Sequence, residues 1–209
     1  MYIEGRFAFA VDAALLEELG VRVGTYLDDP RLEAIQGGEE RRQARERALH
    51  YLTTRERSRH EVRERLRRYG YPESLVVGTV EWLVESGYVD DRRFAEALAR
   101  ARYASGWGIR RVRDELFARG IDEGVVREVA GGVEGDPAGE DARLARLAEM
   151  VGRRFGVLLR SDPIAGRRRA VAYLQRRGHD WETVERIMGR VYREGVSPAH
   201  CEQPWDPND

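Results

Sequence analysis

The chain has 209 residues, 35% of them charged, and its 36 basic and 37 acidic residues leave a formal net charge of −1. This balance excludes a uniformly basic or acidic protein, so any electrostatic function must come from local segregation of charge. Every basic residue is arginine, which excludes Walker A phosphate loops and Schiff-base catalysis because both need a lysine amine.

The first 38 residues differ in pattern from the rest of the chain. The segments MYI and RFAFAV flank Glu4-Gly5, which is typical of a hairpin turn, and VRVGTYL at 21–27 is a further candidate for extended structure. We therefore predict a small β-containing cap over 1–38. The opening residues lack the basic segment and apolar run of a signal peptide, and no stretch of the sequence is apolar for long enough to span a membrane.

From residue 39 onward the apolar residues recur at helical spacing, and one sequence pattern repeats where the predicted helices end. In each case a leucine is followed by three residues, a glycine and then a large residue. A glycine in the left-handed conformation just past a helix end would place that leucine against the residue after the glycine, as in the Schellman motif. The repeat predicts four such helix ends, in LRRYGY, LVESGY, LFARGI and LQRRGH, at Gly70, Gly87, Gly120 and Gly178.

Helix starts are predicted by the residues that follow these glycines. Pro72 suits a first turn, Asp122 and Asp180 suit N-caps, and Ser58 with Glu61 has the spacing of a capping box. The stretch SGYVDDRRFAEALARAR contains two adjacent acids that raise the question of a catalytic pair. Adjacent helical residues point about 100° apart, so we interpret Asp90 or Asp91 as a helix cap rather than as a carboxylate pair.

The repeated endings divide the chain into three modules of three helices. Helices are predicted near 41–54, 59–69 and 73–86, then 91–104, 109–119 and 123–132, then 140–154, 163–177 and 181–194. The predicted domains are the cap at 1–38, modules at 39–89, 90–133 and 140–196, and a disordered tail at 197–209, with a linker at 131–139. The predicted fold class is mainly α: a tandem array of three three-helix modules, elongated or curved, with a small β-containing N-terminal segment.

Charge follows the modules. Residues 39–69, 92–119 and 153–177 carry net charges of +5, +5 and +7, whereas 70–91 and 120–152 each carry −5. The second helix of each module therefore lies in a basic block. Its predicted core positions are Val62, Leu66 and Tyr69; Ile109, Val112 and Leu116; and Ala170 or Val171 with Leu174. These positions leave a set of arginines outside. These candidate partner-binding residues are Arg59, Arg63 and Arg67; Arg110, Arg111 and Arg113; and Arg167, Arg168 and Arg169. Stacked modules would align them into a stripe that binds phosphates, an acidic protein surface or water.

The sequence gives little support for catalysis. His50, His60, His179 and His200 are scattered, and Cys201, the only cysteine, has no basic neighbour that would activate it. A single cysteine forms no intrachain disulfide, which favours a reducing cytoplasm. We predict no catalytic residue, cofactor or metal. GWG at 106–108 is interpreted as a turn with a packed Trp107; Trp82 and Trp181 are expected in the core or at its rim, with a partner anchor as the alternative for Trp181.

Several of these segments resemble the RecX family of regulatory proteins. The resemblance spans about 44–191 and depends on ALHYLTTRERSRHEVRERL, GYVDDRRFAEALARAR, GWGIRRVRDELFARGI and LQRRGHDWETV. His179 stands where that family usually has an aromatic or aliphatic residue.

The resemblance implies a cytoplasmic, monomeric, non-enzymatic regulator of RecA, with a place in homologous recombination, DNA repair and the SOS response. RecX proteins are tandem three-helix arrays that lie in the groove of the RecA filament on DNA and limit its growth, ATP hydrolysis and strand exchange. We accordingly expect RecA and its DNA filament as partners, with single- and double-stranded DNA as further candidates. The alternative is a helical nucleic-acid-binding module that acts independently of RecA.

Overall fold

A computed structural model of the chain describes residues 1–3, 6–134 and 137–193, which fall in two compact units, Met1–Asp91 and Arg92–Asp209. Unit 1 contains β1 (Tyr2–Ile3), β2 (Arg6–Phe7), α1 (Ala13–Glu18), α2 (Asp29–Leu52), α3 (Arg59–Arg68) and α4 (Glu73–Glu85). Unit 2 contains α5, which begins at the last residue of unit 1 (Asp91–Ala104), α6 (Ile109–Ala118), α7 (Glu123–Glu134), α8 (Pro137–Ser161), α9 (Pro163–Arg176) and α10 (Trp181–Arg193). The predicted mainly α fold with a small N-terminal sheet is confirmed.

The N-terminal segment is partly as predicted. Strands β1 and β2 pair antiparallel, with Tyr2 opposite Phe7, whereas the predicted turn at Glu4-Gly5 lies outside the described residues. The expectation of extended structure at 21–27 is wrong. Gly24 adopts a φ of +88°, and the amide of Thr25 donates to the carbonyl of Arg22 at 3.0 Å, so this segment forms a turn.

Helix α2 begins twelve residues before its predicted start near 41, at Asp29. The Asp28 side chain caps it by accepting from the Arg31 amide, and Pro30 occupies its first turn, where a missing N–H costs nothing. The helix continues through Gly37 and Gly38, which disfavour a helix interior, because side chains pack against it there. Leu15 of α1 packs where a Cβ of Gly38 would lie, and Glu39 is buried beside it.

Each group of three long helices surrounds its own core. In unit 1, helices α2, α3 and α4 enclose a cluster that includes Val62, Leu66 and Leu83. In unit 2, α5, α6 and α7 enclose Val112 and Leu116, and α8, α9 and α10 enclose a third cluster. The core stripes predicted for the second helices are therefore confirmed, except that Tyr69 is 40% exposed rather than buried.

The helix ends follow the predicted cap chemistry. Gly70, Gly87, Gly120 and Gly178 all have φ between 71° and 84°, and in three of these turns the residue after the glycine donates to the predicted leucine carbonyl, at 2.9–3.2 Å. At the start of α3, Ser58 and Glu61 form the predicted capping box. The Asp122 and Asp180 side chains accept from the Gly124 and Thr183 amides, also as predicted. Pro72 precedes α4 rather than lying inside its first turn.

Two further predictions concern segments that lie partly or wholly outside the described residues. The linker expected at 131–139 is helical up to Glu134 and again from Pro137, while residues 135 and 136 lie outside the described part. The predicted tail at 197–209, with His200 and Cys201, lies outside it entirely.

Candidate interaction surfaces

A main-chain joint connects the second helix of module 2 to the end of the second helix of module 3. The Gly108 amide donates to the carbonyl of Arg177 at 2.7 Å, and the Arg110 amide donates to the carbonyl of Gly178 at 3.3 Å. A Cβ added at Gly108 would lie 2.2 Å from the carbonyl carbon of Gly178, so only glycine permits this approach. The joint holds the start of α6 against the end of α9 within unit 2.

His179 is buried in this joint, with 4% of its surface exposed. Its Nε2 lies 3.2 Å from the carbonyl oxygen of Gly106, which can only accept, so Nε2 carries the proton and donates. Burial, assisted by the nearby charge of Arg143, lowers the pKa of His179 to about 4. The ring is therefore neutral near pH 7, and its role is structural.

Arg143 closes the other side of the joint. Its guanidinium lies over the ring of Tyr103 at 3.5 Å and donates to the Tyr103 hydroxyl at 2.7 Å and to the carbonyl of Trp107 at 3.3 Å. Arg177 donates to the carbonyl of Ser105 at 3.2 Å. Both arginines thus bind the main chain around GWG, which is the predicted turn: Gly106 has a φ of +80° and Trp107 is half-buried.

Beside the joint, α6 and α9 form a groove of about 590 Å³. Arg110 and Arg111 line it from α6, Gln175 and Arg176 line it from α9, and Trp107 lies at one side. The guanidinium carbons of Arg111 and Arg102 lie 4.4 and 4.8 Å from the Trp107 ring centroid. Asp114 and Glu115 also line it from α6, so the groove combines cationic and acidic edges with an aromatic face.

The nine predicted arginines do not form one equivalent set. Arg110 and Arg111 line the groove of unit 2, whereas the other four predicted arginines of that unit are absent from its lining. Arg59, Arg63 and Arg67 belong to unit 1 and lie on α3. The structure thus brings two of the six predicted arginines of unit 2 together and adds Arg176, which the sequence analysis did not select.

The charges of the nine predicted arginines are neutralised to different degrees. Arg67 binds Glu73 at 2.6 Å and Glu64 at 2.7 Å, and Arg167 binds Glu185 at 2.8 Å. Arg111 donates to the carbonyl of Arg176 at 2.9 Å. In contrast, three exposed residues form no ion pair with any described residue: Arg110, Arg168 and Arg169. The charge of Arg110 nevertheless helps to lower the pKa of Asp180.

A second surface, in unit 1, was not predicted. We call it the Arg–Tyr cluster, and its cations lie over tyrosine rings: Arg57 and Arg65 over Tyr51, at 4.2 and 5.4 Å; Arg65 and Arg47 over Tyr69, at 4.9 and 5.0 Å; and Arg47 over Tyr71, at 5.6 Å. The i,i+4 spacing of Arg65 with Tyr69 is the sequence signal that could have revealed part of it.

The aromatic and acidic residues singled out from the sequence have structural environments. Trp82 is half-buried beneath Arg45, at 4.5 Å, and Trp181 is 42% exposed at the start of α10. Asp91, the first residue of α5, accepts from the main-chain amide of Arg59 at 2.8 Å and so also caps the start of α3. Within the described residues, no three histidine, cysteine, aspartate or glutamate side chains gather as a metal site.

Successive three-helix bundles with separate cores and arginine-rich second helices define a helical-repeat protein with charged surfaces. Residues 44–83 match the first three-helix domain of RecX and residues 90–129 match the second. The regulatory protein RecX of Stenotrophomonas maltophilia strain R551-3 is 38% identical over 141 residues, covering 68% of this chain and 82% of the relative. The chain belongs to the RecX family of regulatory proteins.

Other relatives and solved structures agree with this assignment. The regulatory protein RecX of Bacillus velezensis is 27% identical over 207 residues, covering 97% of this chain and 75% of the relative. A crystal structure of regulatory protein RecX superimposes with a TM-score of 0.73 at 22% identity, covering 90% of this chain and 92% of the other. RecX from Lactobacillus salivarius gives a TM-score of 0.61 at 18% identity, covering 72% and 96%. These two likenesses show the fold. No helix in the described ranges has the length and apolar character of a membrane span.

Proposed function

We propose that this protein binds RecA, or the filament that RecA forms on single-stranded DNA, and limits its ATP hydrolysis, growth and strand exchange. Membership of the RecX family supports this function. The groove between α6 and α9 is the observation that links the function to particular residues. Arg110, Arg111 and Arg176 converge there beside Trp107. Acting on RecA implies a place in the cytoplasm and in recombinational DNA repair.

In this proposal the unpaired cations of the second helices meet acidic groups of the filament, from protein carboxylates or DNA phosphates. Arg110, Arg168 and Arg169 contribute most, because they are exposed and form no ion pair with a described residue. Arg67 and Arg167 contribute less, since each already binds a glutamate. Arg111 supports the groove by lying on Trp107.

The test is the ATPase rate of RecA on single-stranded DNA, measured with and without the protein. The triple change Arg110→Glu, Arg168→Glu and Arg169→Glu is expected to raise the concentration needed for half-inhibition at least tenfold without unfolding the chain. The matched control changes Arg100, Arg127 and Arg146 to glutamate, which alters the net charge equally at exposed positions on α5, α7 and α8. Equal inhibition by the triple variant and the wild type would contradict the proposed site, and no effect of the wild type on RecA would contradict the function.

The alternative from the sequence, a nucleic-acid-binding module independent of RecA, is favoured by a different observation. The Arg–Tyr cluster of unit 1 combines cations with aromatic faces and shares no residue with the nine predicted arginines. That surface can act beside the second-helix arginines in the same protein.

A further inference from the structure

The Arg–Tyr cluster is built by two neighbouring helices that exchange partners. Arg47 and Tyr51 lie on α2, and Arg65 lies on α3 with Tyr69 directly after its end. Arg47 lies over Tyr69 of the other element, and Arg65 lies over Tyr51 as well as its own Tyr69. Because each cation bridges between elements, the guanidinium groups are held in fixed positions at the surface.

Arg57 of the cluster lies 3.9 Å from Glu61, but the other two cations have no such partner among the described residues. Arg47 and Arg65 are exposed and form no ion pair with any described residue. Elsewhere in unit 1 the opposite arrangement holds, since Arg42 binds Glu39 at 2.9 Å and Arg55 binds Glu61 at 2.7 Å. Carboxylates are therefore available nearby, yet Arg47 and Arg65 contact aromatic rings and leave their N–H groups to an external acceptor.

An aromatic and cationic surface of this kind matches the two chemical parts of a nucleotide. Guanidinium N–H groups bind phosphate oxygens, whereas tyrosine rings and guanidinium planes offer faces on which unpaired bases stack. Tyr69 is 40% exposed, so part of its ring remains accessible beside its two arginines. An acidic protein surface would use the charge and leave the aromatic faces unused.

We propose that the Arg–Tyr cluster, formed by Arg47, Tyr51, Arg57, Arg65, Tyr69 and Tyr71, is a binding site for single-stranded nucleic acid. Its phosphates bind the edges of Arg47 and Arg65, and its bases stack on the exposed arginine planes and on Tyr69. Duplex DNA binds less well, because its base faces are already stacked within the helix. The site functions without RecA.

The experiment measures fluorescence anisotropy of a labelled oligothymidine of about 20 nucleotides with the full chain, without RecA, over a range of salt. The double change Arg47→Gln and Arg65→Gln keeps the side-chain stems and is expected to weaken binding about tenfold or more. It should also reduce the slope of log affinity against log salt by about 1.4, because each phosphate contact on a single strand contributes about 0.7.

Two further variants separate charge from stacking and from net charge. Tyr69→Leu is expected to weaken binding about fivefold or more while leaving the salt slope unchanged, because it removes a ring and no charge. The control Arg100→Gln with Arg146→Gln removes two exposed arginines of unit 2 that form no ion pair with a described residue, and it should bind as the wild type does.

Four results would overturn the proposal. The first two are that the wild type does not bind the single strand at low salt, and that the control pair loses as much affinity as the cluster variant. The third is that the wild type binds a duplex of the same length with equal affinity. The fourth is that a cluster variant binds oligothymidine as the wild type does but no longer inhibits RecA. The last result would assign the cluster to an acidic protein partner. The anisotropy assay contains no RecA, so a negative result there contradicts the nucleic-acid site and not the proposed action on RecA. Conversely, a failure to inhibit RecA contradicts the proposed function and not the nucleic-acid site.

Discussion

The amide of Gly108 donates a hydrogen bond of 2.7 Å to the carbonyl oxygen of Arg177, although the two residues belong to different three-helix modules. The contact is between main chains, and a Cβ at Gly108 would lie 2.2 Å from the carbonyl carbon of Gly178. This bond and its neighbours hold α6 against the end of α9, and the groove that contains Arg110, Arg111 and Arg176 depends on it.

Gly108→Ala is therefore expected to lower the free energy of unfolding of unit 2 by about 3 kcal/mol, because the methyl group forces apart two backbones that cannot yield. Urea unfolding gives the free energy, and hydrogen exchange should show lost protection at the amides of Gly108 and Arg110. The control is Gly131→Ala on α7, where nothing lies near the added methyl group, so stability should be unchanged or rise by up to about 1 kcal/mol. Equal stability of the two variants would contradict the joint.

The buried ring of His179 makes the stability of unit 2 dependent on pH. Its pKa is lowered to about 4 in the folded chain and is near 6.5 when unfolded, so protons favour the unfolded chain. The stabilisation is complete above about pH 6.5 and declines as the pH falls toward 4, by about 2 kcal/mol at pH 5. Urea unfolding at pH 7.5, 6 and 5 measures this decline.

The variant His179→Gln isolates the contribution of the imidazole from that of the carboxylates. It is expected to be less stable than the wild type at pH 7.5, and the difference should narrow by about 2 kcal/mol at pH 5. Parallel pH profiles for the two proteins would show that the imidazole titrates alike in the folded and unfolded chains.

Glu39 anchors the N-terminal segment to α2. Its carboxylate accepts from the Asp12 amide at 3.0 Å, from Arg42 at 2.9 Å and from Gln43 at 2.8 Å. The hydrogen bond from Arg42 is the main reason that the pKa of Glu39 falls to about 2. The anchor is thus complete above about pH 4.5 and is lost as the pH falls toward 2.

Glu39→Ala should leave the Asp12 amide and the Gln43 side chain without this acceptor, while Arg42 keeps Glu46 at 3.1 Å. We expect the free energy of unfolding to fall by about 1–3 kcal/mol. We expect limited proteolysis to cut the first 28 residues faster in this variant. Glu33→Ala, an exposed change on the same helix, is the control and should be cut at the wild-type rate. Equal cutting of both variants would count against the anchor.

Asp91 has a capping role at a distance in sequence, since it accepts from the amide of Arg59 at the start of α3. Asp91→Ala is expected to lower the free energy of unfolding by about 1 kcal/mol, whereas Asp91→Asn keeps an accepting oxygen and should lose less. Thermal unfolding of the two variants measures the difference. Equal losses would indicate that the charge of Asp91 matters rather than its hydrogen bond.

Local chemistry explains why the sequence predicted most helix ends. The leucine–glycine endings and the Ser58–Glu61 box involve residues within six positions of each other, so the sequence alone contains every partner. The start of α2 was missed because Gly37-Gly38 resembles a break, and the side chain that packs against it, Leu15, comes from another helix.

The surfaces were harder to predict because their partners are distant in sequence. The arginines of the second helices were found by charge segregation, but their neutralisation depends on carboxylates such as Glu73 and Glu185. The burial of His179 was not predicted, because its hydrogen-bond partner, Gly106, lies 73 residues away in the sequence. The Arg–Tyr cluster likewise depends on how α2 packs on α3.

The joint between α6 and α9 also bears on how such a protein can diversify. Its register is set by amides and carbonyls, which every amino acid supplies apart from the glycine that the close approach demands. Exposed positions nearby can consequently exchange one charge for another while the spacing between the two helices stays constant, apart from the arginines whose side chains donate to the main chain there: Arg111, Arg143 and Arg177. The specificity of the surface can therefore change during evolution while the packing of the helices beneath it is preserved.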